Sequence, residues 1–287
     1  MCGAVDRPVW RVLQAAALAV AVLAALSGCG ADNHDAGMEH IHALGFDPGD
    51  GALYAASHHG LFRIQPGSEP QRVGSSSQDT MGFFILGPGH YLGSGHPAPG
   101  EDQPANLGLI ESRDAGVTWT PVSLSGEVDF HTIDVKQDTI FGYDSQTQQI
   151  MVSSDRTTWE RRAQLPLADL AASPQDPQFL LATTAQGLAH SADGGRTFIR
   201  ITSAPSLKLV DWSIENLIVG VGPTGIVGTS SDHGATWVRL GTVEGVPAAL
   251  ATNGPSEVYI ATDRGIYAST DGGRTFTLSQ PIASDGY

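Results

Sequence analysis

Histidine is the residue type in this chain whose positions most suggest chemistry. Of the 10 His among 287 residues, eight precede residue 132. His40 and His42 are two residues apart, and in an extended strand side chains at i and i+2 project to the same side, so the two imidazoles can converge on one point. A divalent transition metal needs that convergence, because imidazole nitrogens bind Zn²⁺ at roughly 2.0–2.1 Å. His58 and His59 are adjacent and diverge if extended, so at most one of them need join. His96 opens the segment His96-Pro-Ala-Pro-Gly-Glu101-Asp102-Gln-Pro, the longest irregular insertion in the chain and the natural ligand loop. His131 follows Asp129 by two residues. The candidate set is therefore His40, His42, His58, His59, His96 and His131, with Glu39 and Asp129 as accompanying carboxylates. Neutral imidazoles favour Zn²⁺ or Cu²⁺ over Mg²⁺ or Ca²⁺, and an ordinary imidazole loses this ability as it protonates near pH ~6.5. Two other readings fit the same residues: a polar lining of a channel mouth, and a sugar or peptide pocket in which His supplies hydrogen bonds.

The elements that must position these residues are set by a repeat. Five copies of one short pattern, 38 to 41 residues apart, read Ser112-Arg-Asp114-Ala-Gly116-Val-Thr118-Trp119, Ser153-Ser-Asp155-Arg-Thr-Thr158-Trp159, Ser191-Ala-Asp193-Gly-Gly195-Arg-Thr197-Phe198, Ser230-Ser-Asp232-His-Gly234-Ala-Thr236-Trp237 and Ser269-Thr-Asp271-Gly-Gly273-Arg-Thr275-Phe276. Each has the chemistry of a tight hairpin: Asp bonds backbone N–H groups a few residues on, and Gly takes the positive φ that closes the turn. The second copy is one residue short and lacks the Gly. The aromatic that ends each copy starts a strand and offers a large apolar face. A Gly-apolar step precedes the boxes, as in Gly108-Leu109 and Gly187-Leu188, and Gly60-Leu61-Phe62 adds a sixth unit without a box. Within a unit the pattern predicts an apolar strand, a Pro/Gly/Asp turn, a second strand, a loop, a third strand, the box and a fourth strand. Four strands per unit of about 40 residues predict one all-β propeller of six four-stranded blades, with seven as the runner-up. Blades start near Glu39, Gln78, Glu127, Leu165, Ala204 and Gly245, and how the ring closes is left open. In such a ring the starts of the inner strands and the loops between second and third strands share one face, opposite the boxes. Every candidate His falls on that face, in the first three blades.

The box pattern resembles the Asp-box, or BNR repeat, of sialidase-like and sortilin-like β-propellers. That resemblance implies a structural role for Asp114, Asp155, Asp193, Asp232 and Asp271, on the rim opposite the ligand face. A working sialidase would need three Arg on the substrate carboxylate, where guanidinium groups bind bidentately, a Tyr/Glu nucleophile pair and an acid Asp. The Arg residues here fall mostly at boxes and in outer strands, so the triad is not recognisable, although Glu39, Glu101, Asp129 or Asp169 can supply an acid/base pair of another glycosidase type. The chain also resembles small bacterial propeller lipoproteins classed as glycosyl hydrolases, and the propeller of photosystem assembly factors, which act by binding partners. Three functions follow as expectations: a ligand-binding propeller with a metal on its His-rich face, a glycoside hydrolase acting on extracellular glycans, and a protein-binding assembly scaffold.

The N-terminus carries Arg7 and Arg11, an apolar run from Val12 to Leu26, and Leu26-Ser27-Gly28-Cys29. A cationic start, an apolar stretch too short to span a bilayer comfortably and small residues at its end read as a secretory signal. The ending resembles the bacterial lipobox, which implies cleavage before Cys29 and acylation of its thiol. The expected organisation is a signal peptide over 1–28, a lipidated Cys29 with a polar tether over 29–38, and the propeller over 39–287. The protein is then a monomer anchored to the cell membrane on its extracytoplasmic face. The other cysteine, Cys2, lies in the signal, so the mature chain has no disulfide to rely on. A formal net charge of -15 disfavours nucleic acid and leaves small ligands, glycans or extracellular proteins as partners.

Overall fold

A computed structural model describes residues 37–282, together with Met1 and Gly3. The expected signal peptide, Cys29 and nearly all of the tether lie outside the described residues. The chain divides into a unit over Met1–His34 and a unit over Asp35–Tyr287, and the second is the propeller. Its strands form six four-stranded antiparallel sheets, each built from four consecutive strands. This is a six-bladed β-propeller. The first strands of the blades run Ile41–Phe46, Asp79–Gly87, Phe130–Lys136, Asp169–Ala172, Leu209–Ile214 and Pro247–Asn253. Residues of all six line one axial cavity of about 610 Å³, so these are the inner strands.

The apolar core is divided into wedges between neighbouring blades. Tyr54 and Leu61 of blade 1 pack on Phe83 and Tyr91 of blade 2, Phe141 and Ile150 of blade 3 on Leu170 and Leu180 of blade 4, and Val219 of blade 5 on Ile260 of blade 6. Polar stitches run beside the wedges. Carboxylates of the inner strands accept backbone N–H groups of the next blade: Asp134 from Ala172 at 2.7 Å, Asp169 from Val210 at 2.9 Å and Asp211 from Thr252 at 2.7 Å. First and last blades meet in an apolar cluster, where Met38, Ile41, Leu44 and Phe62 pack on Ala249, Ala251 and Ile266. The Phe46 and Tyr259 rings lie 4.8 Å apart there, and Ile282 covers the same cluster.

The boxes are self-contained hairpins. In the third copy Asp193 Oδ1 accepts the backbone N–H groups of Arg196 and Thr197, Oδ2 accepts the Thr197 hydroxyl at 2.6 Å, and Ser191 Oγ accepts Gly195 N–H. The degenerate copy keeps this by a substitute: Arg156 takes φ 69° where the other copies use Gly, and Asp155 Oδ1 still receives the N–H groups of Thr157 and Thr158. The boxes sit beside the turns that follow the inner strands, since Gly194 N–H bonds Gln178 O and Ala115 N–H bonds Gly89 O.

Candidate functional site

At the opposite end, the first three blades bring six histidines together around three carboxylates. Each acid heads its blade: Glu39 before the first inner strand, Asp79 opening the second, Asp129 just before the third. A bulge in each strand then re-aims one side chain. The ladder slips between Ile41 and Ala43 in blade 1, between Thr80 and Gly82 in blade 2, and opposite Tyr143 and Asp144 in blade 3. His42, Met81 and His131 are the extra residues at these slips, and His42 and His131 line the axial cavity. Bulges near a binding site commonly serve to turn a side chain in this way.

Asp79 is the residue that sequence reasoning missed. His58 Nδ1 lies 2.8 Å from its Oδ2 and His42 Nε2 lies 3.2 Å from its Oδ1. One ligand atom from each of His42, His58 and Asp79 falls within 4.8 Å of the others. The His42 to Asp79 contact is off line for a hydrogen bond, so Nε2 and Oδ1 are both buried with no hydrogen-bond partner. Burial of Asp79 opposes its ionisation, but the His42 contact and the fields of His42, His58 and His96 outweigh that and hold its carboxyl below the ordinary carboxylate range. A signal for Asp79 was present: it directly follows the predicted start of blade 2, in the place that Glu39 and Asp129 occupy in their blades.

The second carboxylate gathers two more of the expected histidines. Asp129 Oδ2 lies 2.8 Å from His131 Nε2, 3.6 Å from His96 Nε2 and 3.0 Å from Ser145 Oγ. Burial again opposes ionisation, and His131, Ser145 and His96 outweigh it, so this carboxyl too is held low. The third pair is looser, with His59 Nε2 3.6 Å from Glu39 Oε2.

His40 differs from its expected setting. The inner strand begins at Ile41, and His40 precedes it with a left-handed φ of 47°. The i, i+2 alternation therefore does not relate it to His42. Its ring stands edge-on to His58 with centroids 6.1 Å apart. His90, His190 and His233 lie at the box end: His90 Nε2 is 2.7 Å from Glu111, and the other two stack on Phe179.

Deeper in the axial cavity, Lys136 pairs with Asp134 at 2.9 Å. Burial pushes Asp169 up to about 7 and raises Asp211 as well.

No protein-family model matches the chain, and no curated protein matches it in sequence. Solved structures do match in fold. The nidogen/laminin complex contains a chain 14% identical, with a TM-score of 0.60, covering 79% of this chain and 91% of that one. YCF48 bound to D1 peptide is 17% identical with a TM-score of 0.52, covering 84% and 82%. An ancestral GH74 enzyme is 14% identical with a TM-score of 0.51, and the match covers 84% of this chain but 38% of the enzyme. The neighbours thus include a glycoside hydrolase and propellers that bind proteins or peptides. At these identities they establish the fold alone.

Proposed function

We propose that this chain is a propeller of the Asp-box type, anchored by lipid at Cys29, whose histidine rim binds a divalent transition metal, Zn²⁺ or Cu²⁺. His42 Nε2, His58 Nδ1 and an Asp79 oxygen are the ligands. The observation that carries the reading is a preformed trio containing two buried atoms, His42 Nε2 and Asp79 Oδ1, without hydrogen-bond partners. Two ligands at about 2.0–2.1 Å from a tetrahedral ion stand about 3.3–3.4 Å apart. The separations of 3.2 Å from His42 to Asp79 Oδ1 and 2.8 Å from His58 to Asp79 Oδ2 are close to this, and all three ligand atoms lie within 4.8 Å of one another, so modest side-chain rotation brings them onto one ion. An ion there would also satisfy the orphaned pair, whose burial is otherwise costly.

The box geometry supports the Asp-box likeness, while the arginines argue for binding over sialidase chemistry. Arg63 pairs with Asp50, Arg113 and Arg156 with Glu111, Arg162 and Arg196 with Glu160, and Arg264 with Glu244. These guanidinium groups are taken up by the protein's own carboxylates.

The test uses the full chain, purified in detergent without an oligohistidine tag and stripped with chelator. Calorimetric titration with Zn²⁺ and Cu²⁺ gives micromolar or tighter binding, which His42→Ala with His58→Ala weakens by roughly a hundredfold or more. Binding that is equally tight in that variant removes the reading, and release of sialic acid from a standard substrate would restore the hydrolase. For the anchor, Cys29→Ser releases the protein or leaves an uncleaved precursor; a variant that remains membrane-bound at the mature mass contradicts lipidation.

A further inference from the structure

We propose a second divalent-cation site on the same rim, made by His96, His131 and Asp129; it rests on the reading of this face as a transition-metal surface. Asp129 is 3% exposed, and its Oδ1 is buried without a hydrogen-bond partner. Its Oδ2 faces two imidazoles, at 2.8 Å from His131 and 3.6 Å from His96.

The tautomer of His96 decides what that second contact means. His96 Nδ1 lies 2.8 Å from Ala105 O. A carbonyl oxygen only accepts, so Nδ1 carries the proton, and in the neutral ring Nε2 is the bare nitrogen. The bare Nε2 then lies 3.6 Å from a carboxylate oxygen, one acceptor beside another. Only a proton or a cation between them makes that contact favourable. An imidazole whose far N–H is held by a backbone carbonyl, with its bare nitrogen beside an acid, is the usual outer support of a metal ligand.

The two clusters share one construction. In each, an acid heads an inner strand, one His of the preceding blade lies at or just past the end of its second strand (His96 and His58), and one sits at a bulge, His42 on the blade before its acid and His131 on the same blade as its acid. They differ in readiness. The ligand atoms of His42, His58 and Asp79 already lie within 4.8 Å of one another. The Asp129 cluster closes by ring movement, for which the side chains of His96 and His131, 37% and 39% exposed, have room. His96 also lies within electrostatic reach of both Asp79 and Asp129. The second ion therefore binds more weakly than the first.

Bound metal per chain decides the matter, read by elemental analysis and by Zn²⁺ calorimetry on the full chain in detergent. The expected result is two equivalents in the wild type and one in His96→Ala with His131→Ala, the tighter event persisting. Visible absorption of Co²⁺ substituted into the wild type, rising in two phases, gives the same count without a variant. One equivalent that survives in His96→Ala with His131→Ala overturns this site and leaves the first standing. One equivalent lost only in that variant supports this site and removes the first. Two equivalents undiminished by the change, or no binding in any form, overturn the proposal.

Discussion

The two ends of the propeller use aspartate in opposite ways. Asp193 at the box end is half-buried, and all of its partners lie within four residues along the chain: Ser191 Oγ, two backbone N–H groups and the Thr197 hydroxyl. Asp79 at the histidine end is largely buried, its partners are imidazoles of the neighbouring blade, and its Oδ1, 3.2 Å from His42 Nε2, receives no hydrogen bond. A carboxylate saturated by its own hairpin holds the chain in place and has nothing left to offer a ligand. One that faces imidazoles across a blade boundary can share an ion with them without unfolding a turn.

Crossing the two ends by mutation tests this difference. The largest effect is expected from Asp79→Asn, which keeps the shape of the side chain but removes its charge. It weakens Zn²⁺ binding roughly ten- to a hundredfold, with a melting temperature near that of the wild type. Asp271→Ala does the reverse: it strands the N–H groups of Arg274 and Thr275 and lowers the melting temperature by several degrees, with Zn²⁺ affinity unchanged. Calorimetry and thermal melts of both variants read the comparison directly, and a box variant that melts normally but fails to bind metal would break it.

A smaller effect comes from the axial cavity, where a third kind of aspartate sits. Asp169 has its pKa raised by burial from 3.8 to about 7. The folded state thus holds this proton more tightly than the unfolded chain. The associated stability is complete below about 4 and is lost as pH rises through about 7, with a slope of at most about 1.4 kcal/mol per pH unit. Asp134, Asp211 and Lys136 face the same space. Denaturant melts between pH 4 and 8 should show a flatter dependence in Asp169→Asn than in the wild type; an unchanged slope would mean that Asp169 ionises normally.

The smallest effect is at the acid limit. Hydrogen bonds from Thr236 hold Asp232 down at about 2. Its contribution is present above the ordinary value of 3.8 and fades only as pH falls toward 2. Asp232→Asn should therefore shift the acid-unfolding midpoint of the wild type slightly, while leaving metal binding at neutral pH as it was.

What the sequence determined by itself is what depends on short-range geometry. The 38- to 41-residue period, the Ser/Asp/Gly/Thr hairpins and the Gly-apolar steps predicted six four-stranded blades, because each hairpin is made by bonds spanning only a few residues. Alternation and turn chemistry also put His42, His58, His96 and His131 at one end. Tertiary structure decided which of them meet. The bulges at His42 and His131 are visible only in the pairing with the second strand, and the left-handed His40 separates it from the neighbour whose spacing seemed to match. Asp79, with no histidine beside it in the chain, becomes the centre of a cluster because blade 2 packs against blade 1. The closure of the ring was equally hidden, since the fit of Met38, Ile41 and Phe62 against Ala249 and Ile266 depends on the rotation accumulated over all six blades, which no local pattern specifies.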